Sequence, residues 1–173
     1  SSDTTKKDTS VVATTLDDYK VACDAQAVTN ASEYKGAAPH SLVVFEKGSD
    51  DKFAQSVVAF SDKTWAADST KVTSAQLVAC ISKKASTEAK LKTCPITDVT
   101  TKVTTNVDYY SVTYVVDVYN AKTGAKVATY DSASATTTCP TTATYDRSAP
   151  KIYAPYGITG VETLIKDLVT KTV

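Results

Sequence analysis

The chain has no methionine, a single histidine and a single arginine among its 173 residues, and it carries no net charge. Each scarcity excludes something. Basic and acidic side chains balance at 19 each, so no basic stripe is left over to offset phosphate, and nucleic acid is not an expected partner. All but one of the basic residues are lysines, and the lone guanidinium of Arg147 leaves little scope for bidentate recognition of carboxylate or phosphate. His40 is the only imidazole. A hydrolase built on it would need Ser41 or a distant serine and a carboxylate placed by the fold, and the sequence has no G-x-S-x-G elbow to advertise the nucleophile. No apolar run is long enough to span a bilayer. The missing methionine fits a mature form whose start has been cut away.

Four cysteines stand against these absences: Cys23, Cys80, Cys94 and Cys139, in a chain dominated by Thr, Ser, Ala, Val and Lys. An even number at wide spacing fits two structural disulfides, which persist only outside the reducing cytosol, so the protein is expected to be extracytoplasmic. Structural zinc wants ligand pairs about two to four residues apart, a spacing no two of these cysteines approach. A catalytic thiol usually stands alone beside a histidine base, whereas these four read as partners. No metal and no cofactor is expected. The carboxylate pairs Asp17-Asp18 and Asp50-Asp51 lack the Asp-x-Asp-x-Asp-Gly spacing that wraps calcium and read as solvated loop charge. Asn30-Ala31-Ser32 is a glycosylation acceptor only in a eukaryotic source.

At this length one domain can bury a core without help, and each disulfide then adds on the order of 2 to 4 kcal/mol as reinforcement. Residues 1–10 contain no apolar side chain and read as a disordered polar leader, either a tether below an upstream lipid anchor or an ordinary frayed terminus. From Val11 to Val173 the chain is expected to form a single α+β domain, mainly an antiparallel sheet with a C-terminal amphipathic helix packed on it. Leu16 to Val28 reads as a short helix or turn. SLVVFE (Ser41 to Glu46), SVVAF (Ser56 to Phe60), AQLVACIS (Ala75 to Ser82) and AKLKTC (Ala89 to Cys94) read as strands, the last two joined by the polar turn Lys83 to Glu88. Tyr110 to Tyr119 alternates Val112, Tyr114, Val116 and Val118 with more polar neighbours, and NAKTG then turns it back into AKVATY as a hairpin. Thr159 and Glu162 have capping-box spacing. Behind them Val161, Leu164, Ile165, Leu168 and Val169 recur on one helical stripe.

The order Cys23 (CDAQAVTNASEY), Pro39-His40-Ser41-Leu42-Val43-Val44, Trp65, Leu77-Val78-Ala79-Cys80, Cys94, Lys122-Thr123-Gly124 and Cys139-Pro140 resembles exported, lipoprotein-type domains of high-GC Gram-positive bacteria. The likeness covers most of residues 20 to 140. It implies export and a bacterial surface, and no activity or site residue comes with it. Four cysteines allow three pairings. Cys23 with Cys80 and Cys94 with Cys139 is favoured, the first stapling the amino-terminal segment to the sheet and the second anchoring the Thr-rich loop after the hairpin. Pairing Cys80 with Cys94 instead would need a restricted cross-strand geometry.

One segment invites a functional reading. Tyr145, Arg147, Tyr153 and Tyr156 lie in TYDRSAPKIYAPYG, and Tyr and Arg are enriched at binding hot spots. The plainer alternative is that Tyr153 and Tyr156 pack this connection onto the core. The sequence thus predicts a non-catalytic domain that binds an unknown protein or envelope component or acts as a structural part of a cell envelope. Its rivals are a self-assembling surface subunit joined through Thr-rich strand edges, and a secreted hydrolase using His40.

Overall fold

A computed structural model describes residues 9–56 and 58–173. Most of the leader expected over residues 1–10 therefore lies outside the described residues. The fold is α+β, with eight strands, one C-terminal α-helix and two disulfides among the described residues. The strands are β1 (Leu42–Lys47), β2 (Phe53–Gln55), β3 (Leu77–Lys83), β4 (Ala89–Thr97), β5 (Thr104–Ser111), β6 (Tyr114–Asn120), β7 (Lys126–Ser132) and β8 (Lys151–Tyr153); the helix is α1 (Ile158–Thr170). They form a five-stranded sheet in the order β2-β1-β3-β6-β7 and a three-stranded sheet in the order β4-β5-β8. Pairing is antiparallel except for β1 with β3 and β5 with β8.

The large sheet is covered on both faces, which explains why LVVF in β1 and LVACI in β3 are buried without alternation. Leu42, Val44, Leu77, Ala79, Ile81, Tyr114, Val116 and Val118 face α1, which answers with Val161, Ile165, Leu168 and Val169. Val43, Phe45, Val78, Cys80 and Tyr119 face the other way, onto Leu16, Tyr19 and Ala22 of a 3-10 helix, Leu16–Asp24. The small sheet has its own core of Cys94, Ile96, Val107, Tyr109, Ile152 and Ala154.

Packing rather than propensity holds α1. It contains two threonines before Leu164 and Gly160, all poorer helix formers than alanine by about 0.5 to 1 kcal/mol each. Each of its four buried aliphatic side chains contributes about 1.5 to 3 kcal/mol relative to exposure, which is the larger sum. Leu164, placed on the same stripe by the sequence, is only half-buried. The carboxyl end is finished by the loop before β1. Tyr34 Oη donates to the Leu168 carbonyl at 2.6 Å, the His40 amide to Val169 at 2.9 Å and His40 Nε2 to Lys171 at 2.8 Å, satisfying carbonyls that a helix end leaves without partners.

Several local expectations are corrected. The capping box at Thr159 and Glu162 does not form: Gly157 is the N-cap, and Glu162 instead accepts from the amide and hydroxyl of Ser61, at 2.7 and 2.9 Å. A capping box does form at Thr15 and Asp18, at the start of the 3-10 helix. Among the described residues of SVVAF none is in a strand, β2 lying earlier at Phe53–Gln55, while Val57 falls outside the described residues. Strands β3 and β4, though consecutive, belong to different sheets.

The alternating run from Tyr110 to Tyr119 is two strands. At Val112 and Thr113 the chain leaves the small sheet and joins the large one. Side chains replace the ladder at this seam: Ser134 Oγ accepts from the Val112 amide at 2.9 Å and donates to its carbonyl at 2.7 Å, and Thr87 Oγ1 accepts from the Thr113 amide at 3.1 Å. The predicted hairpin is β6 and β7, with Gly124 at φ +74° in its turn. A Cβ there would lie 2.7 Å from the Gln26 carbonyl carbon and 2.8 Å from the Ala25 oxygen, so only glycine fits.

Candidate functional site

The seam between the two sheets gathers tyrosines, lysines and carboxylates. Parallel pairing of β5 with β8 sets Tyr110 beside Tyr153, their ring centroids 6.2 Å apart and their planes tilted by 47°. Tyr153 Oη donates to Glu88 Oε1 at 2.6 Å, and Lys151 pairs with the other oxygen of the same carboxylate. The Lys151 ammonium lies 4.3 Å from the centre of the Tyr110 ring and 5.2 Å from that of Tyr153. From the end of β3, Lys83 places its ammonium 4.8 Å from the Tyr153 ring. Glu88 sits in the turn that carries the chain from one sheet to the other, so the arrangement uses three separate stretches of sequence.

Charge and hydrogen bonding act together here. The hydrogen bond from Lys151 and then that from Tyr153 hold the Glu88 carboxyl below its ordinary range, and Lys151 is raised chiefly by Glu88. Partial burial, then the bond to Glu88, pushes the Tyr153 phenol up. All of these side chains are partly accessible, so the cluster borders solvent. Two aromatic rings around an ammonium, backed by a carboxylate, make a surface suited to polar partners with some apolar body.

Tyr156 lies deeper in the same seam. Its ring meets Tyr114 edge-on at 5.4 Å; burial, then the neighbouring Glu46 carboxylate, raises its pKa. Tyr114 donates to the Ala154 carbonyl at 2.7 Å, and burial pushes its phenol up to about 12. The structure thus brings Tyr153 and Tyr156 to one seam and places the other two expected residues elsewhere. Tyr145 packs half-buried on the core of the small sheet. Arg147 is 84% exposed and reaches Asp98, 3.3 Å away, in the turn between β4 and β5. Tyr110, Glu88, Lys83 and Lys151 were not singled out from the sequence. Only the alternation of Lys151 with Tyr153 could have hinted at them, because the pairing that joins the rest is long-range.

His40 has a structural environment. It is fully buried, with Nδ1 2.8 Å from Gln76 Oε1, Nε2 on the Lys171 carbonyl and Tyr34 edge-on at 4.8 Å. The carboxylate pairs are also engaged locally: Asp17 pairs with Lys20, Asp18 caps the 3-10 helix, Asp50 accepts from the Lys52 amide and Asp51 pairs with Lys47. A separate open depression of about 590 Å³ is lined by Thr29, Glu33, Tyr34, Lys35, Asn120 and Lys122, but Lys122 is tied to the Thr29 and Ala31 carbonyls.

The disulfides are Cys23–Cys80 and Cys94–Cys139, the pairing favoured from sequence, and they fit an oxidising, extracytoplasmic setting. No described helix is long and apolar enough to cross a membrane. Comparison with models of protein families, with curated proteins and with solved structures returns no significant match.

Proposed function

We propose that this chain is a non-catalytic, exported module of a bacterial cell envelope that binds an envelope component through the seam around Tyr110 and Tyr153. The observation that carries the reading is the accessible cluster of two tyrosine rings, Lys83, Lys151 and Glu88, drawn from three parts of the chain onto one surface. Aromatic rings supply contact area at low entropic cost, and the flanking charges supply orientation. The disulfides support the compartment. Complete burial of His40, with both ring nitrogens engaged, supports a structural role for the only imidazole over a hydrolytic one.

Co-sedimentation with purified cell walls of a high-GC Gram-positive bacterium tests the reading. Wild-type protein should pellet with the walls, and Tyr153→Ala, which also loses packing on the main core and the bond to Glu88, should stay in the supernatant at temperatures well below its own, lowered unfolding midpoint. Tyr156→Ala is the control for lost packing: its ring rests on the same core as that of Tyr153, so that change should lower stability by about 1 to 3 kcal/mol while leaving wall binding by the folded protein in place. Equal pelleting of wild type and Tyr153→Ala, or none by wild type, would remove the seam as the binding surface.

A further inference from the structure

The sheet edges are not equally protected. Strands β2 and β8 are edges of three residues each. The edge strand β4 is longer but carries Lys90, Lys92 and Pro95, with a bulge at Leu91. Short length, lysines, prolines and bulges are the usual devices against edge-to-edge pairing. Strand β7, KVATYDS, closes the large sheet with seven residues and no proline; its one lysine, Lys126, and its bulge at Val127 lie at its start, and its far side meets no other strand among the described residues.

Its register makes β7 complementary to itself. Thr129 pairs with Asp117, Asp131 with Val115, and Lys126 with Tyr119, because the bulge near Val127 skips one residue. Lys126, Thr129 and Asp131 therefore project from one face, with Thr129 midway between a cation and an anion. Within the chain Lys126 sits 3.4 Å from Asp117, and Asp131 sits 2.6 Å from Lys84.

We propose that β7 is a homodimerisation edge, on which β7 of a second copy of this chain pairs antiparallel with Thr129 on the two-fold axis. That register sets Asp131 of each copy opposite the Lys126–Val127 bulge of the other, whose two residues together face one position, so that Lys126 is the cation beside it. It links Lys84, Asp131, the second copy's Lys126 and its Asp117 in a row of alternating sign, twice over by symmetry. On the opposite face Tyr130 comes against Ala128 of the second copy. The half-exposed edge then becomes interior to a continuous ten-stranded sheet, with backbone hydrogen bonds as the main attraction and charge fixing the register. One strand pair is a small contact, so association is weak and concentration-dependent.

Sedimentation velocity from about 10 μM to 1 mM tests this. Wild-type protein should shift from monomer towards dimer across that range. Lys126→Glu and Asp131→Lys should each weaken the dimer by roughly tenfold or more, since each replaces two attractions with two repulsions. Mixing the two variants in equal amounts should restore the dimer, because both cross-pairs are again of opposite sign. Mere damage to the fold would not be rescued by mixing. As a register check, Thr129→Cys adds the only free thiol among the described residues and should cross-link the dimer across its axis. A wild type that stays monomeric at the highest concentration, variants that dimerise as wild type does, or a mixture that stays monomeric would each overturn the proposal.

Discussion

Glu88 shows how one side chain acquires a role its neighbours in sequence do not explain. It holds Lys151 and Tyr153 of β8 from a turn more than sixty residues away. Its carboxyl is held below the ordinary value of 4.5, so its contribution to stability is present above that pH and is lost as pH falls through the lowered value. Asp18, Asp62, Asp68, Asp98 and Asp146, each lowered by local hydrogen bonds, act in the same sense. Unfolding midpoints measured from about pH 2 to 7 should therefore fall on the acid side, and Glu88→Gln should flatten part of that fall. Glu88 is more than a third exposed, so the effect is modest; an unchanged acid limb in the variant would mean that the carboxylate contributes nothing to folding.

Among the elements, α1 offers the sharpest contrast. Leu168 is 7% exposed within the main core, whereas Leu164 on the same stripe is half-buried. Leu168→Ala should cost about 2 to 5 kcal/mol through lost contact and cavity formation. Leu164→Ala should cost about 1 kcal/mol. Denaturant unfolding of both decides the matter, and equal losses would mean that the helix is rotated from the orientation described. The helix was legible in the sequence because its 3.6-residue period is a local signal, and so was the β6–β7 hairpin, whose turn announces itself with Gly124. The helix start was misread because the Thr159 and Glu162 spacing carries no information about Ser61, which takes the carboxylate. The single strand read from Tyr110 to Tyr119 kept its period through Val112, yet which sheet each half joins depends on Ser134 and Thr87, far along the chain. The seam was invisible for the same reason. Tyr153 and Tyr156 stood out by residue type, while Glu88, Lys83 and Tyr110 become relevant only after the parallel pairing of β5 with β8.

For the whole molecule the two disulfides divide the work. Cys23–Cys80 fastens the 3-10 layer to the central strand β3, and Cys94–Cys139 fastens the small sheet to the loop after β7. The sequence separations of 57 and 45 correspond to about 4 kcal/mol each by loop-closure entropy. Intact mass should show four fewer hydrogens than the reduced chain, and reduction should lower the unfolding midpoint by several degrees or more. Four titratable thiols in native protein purified from an oxidising compartment would contradict both bridges.

Those same bridges set how far the molecule can be pulled out under load. A polypeptide stretched by its ends lengthens by roughly 3.3 to 3.6 Å for every residue released. Here the 57- and 45-residue separations are short-circuited by covalent bonds, so tension applied between Val11 and Val173 passes through sulfur at Cys23–Cys80 and again at Cys94–Cys139. Most of β1 to β3, and all of β5 to β7, lie inside those two rings and bear none of the load once the bonds are taut. In an oxidising envelope the chain would behave as a short, stiff strap, and reduction would turn it into a long, extensible one.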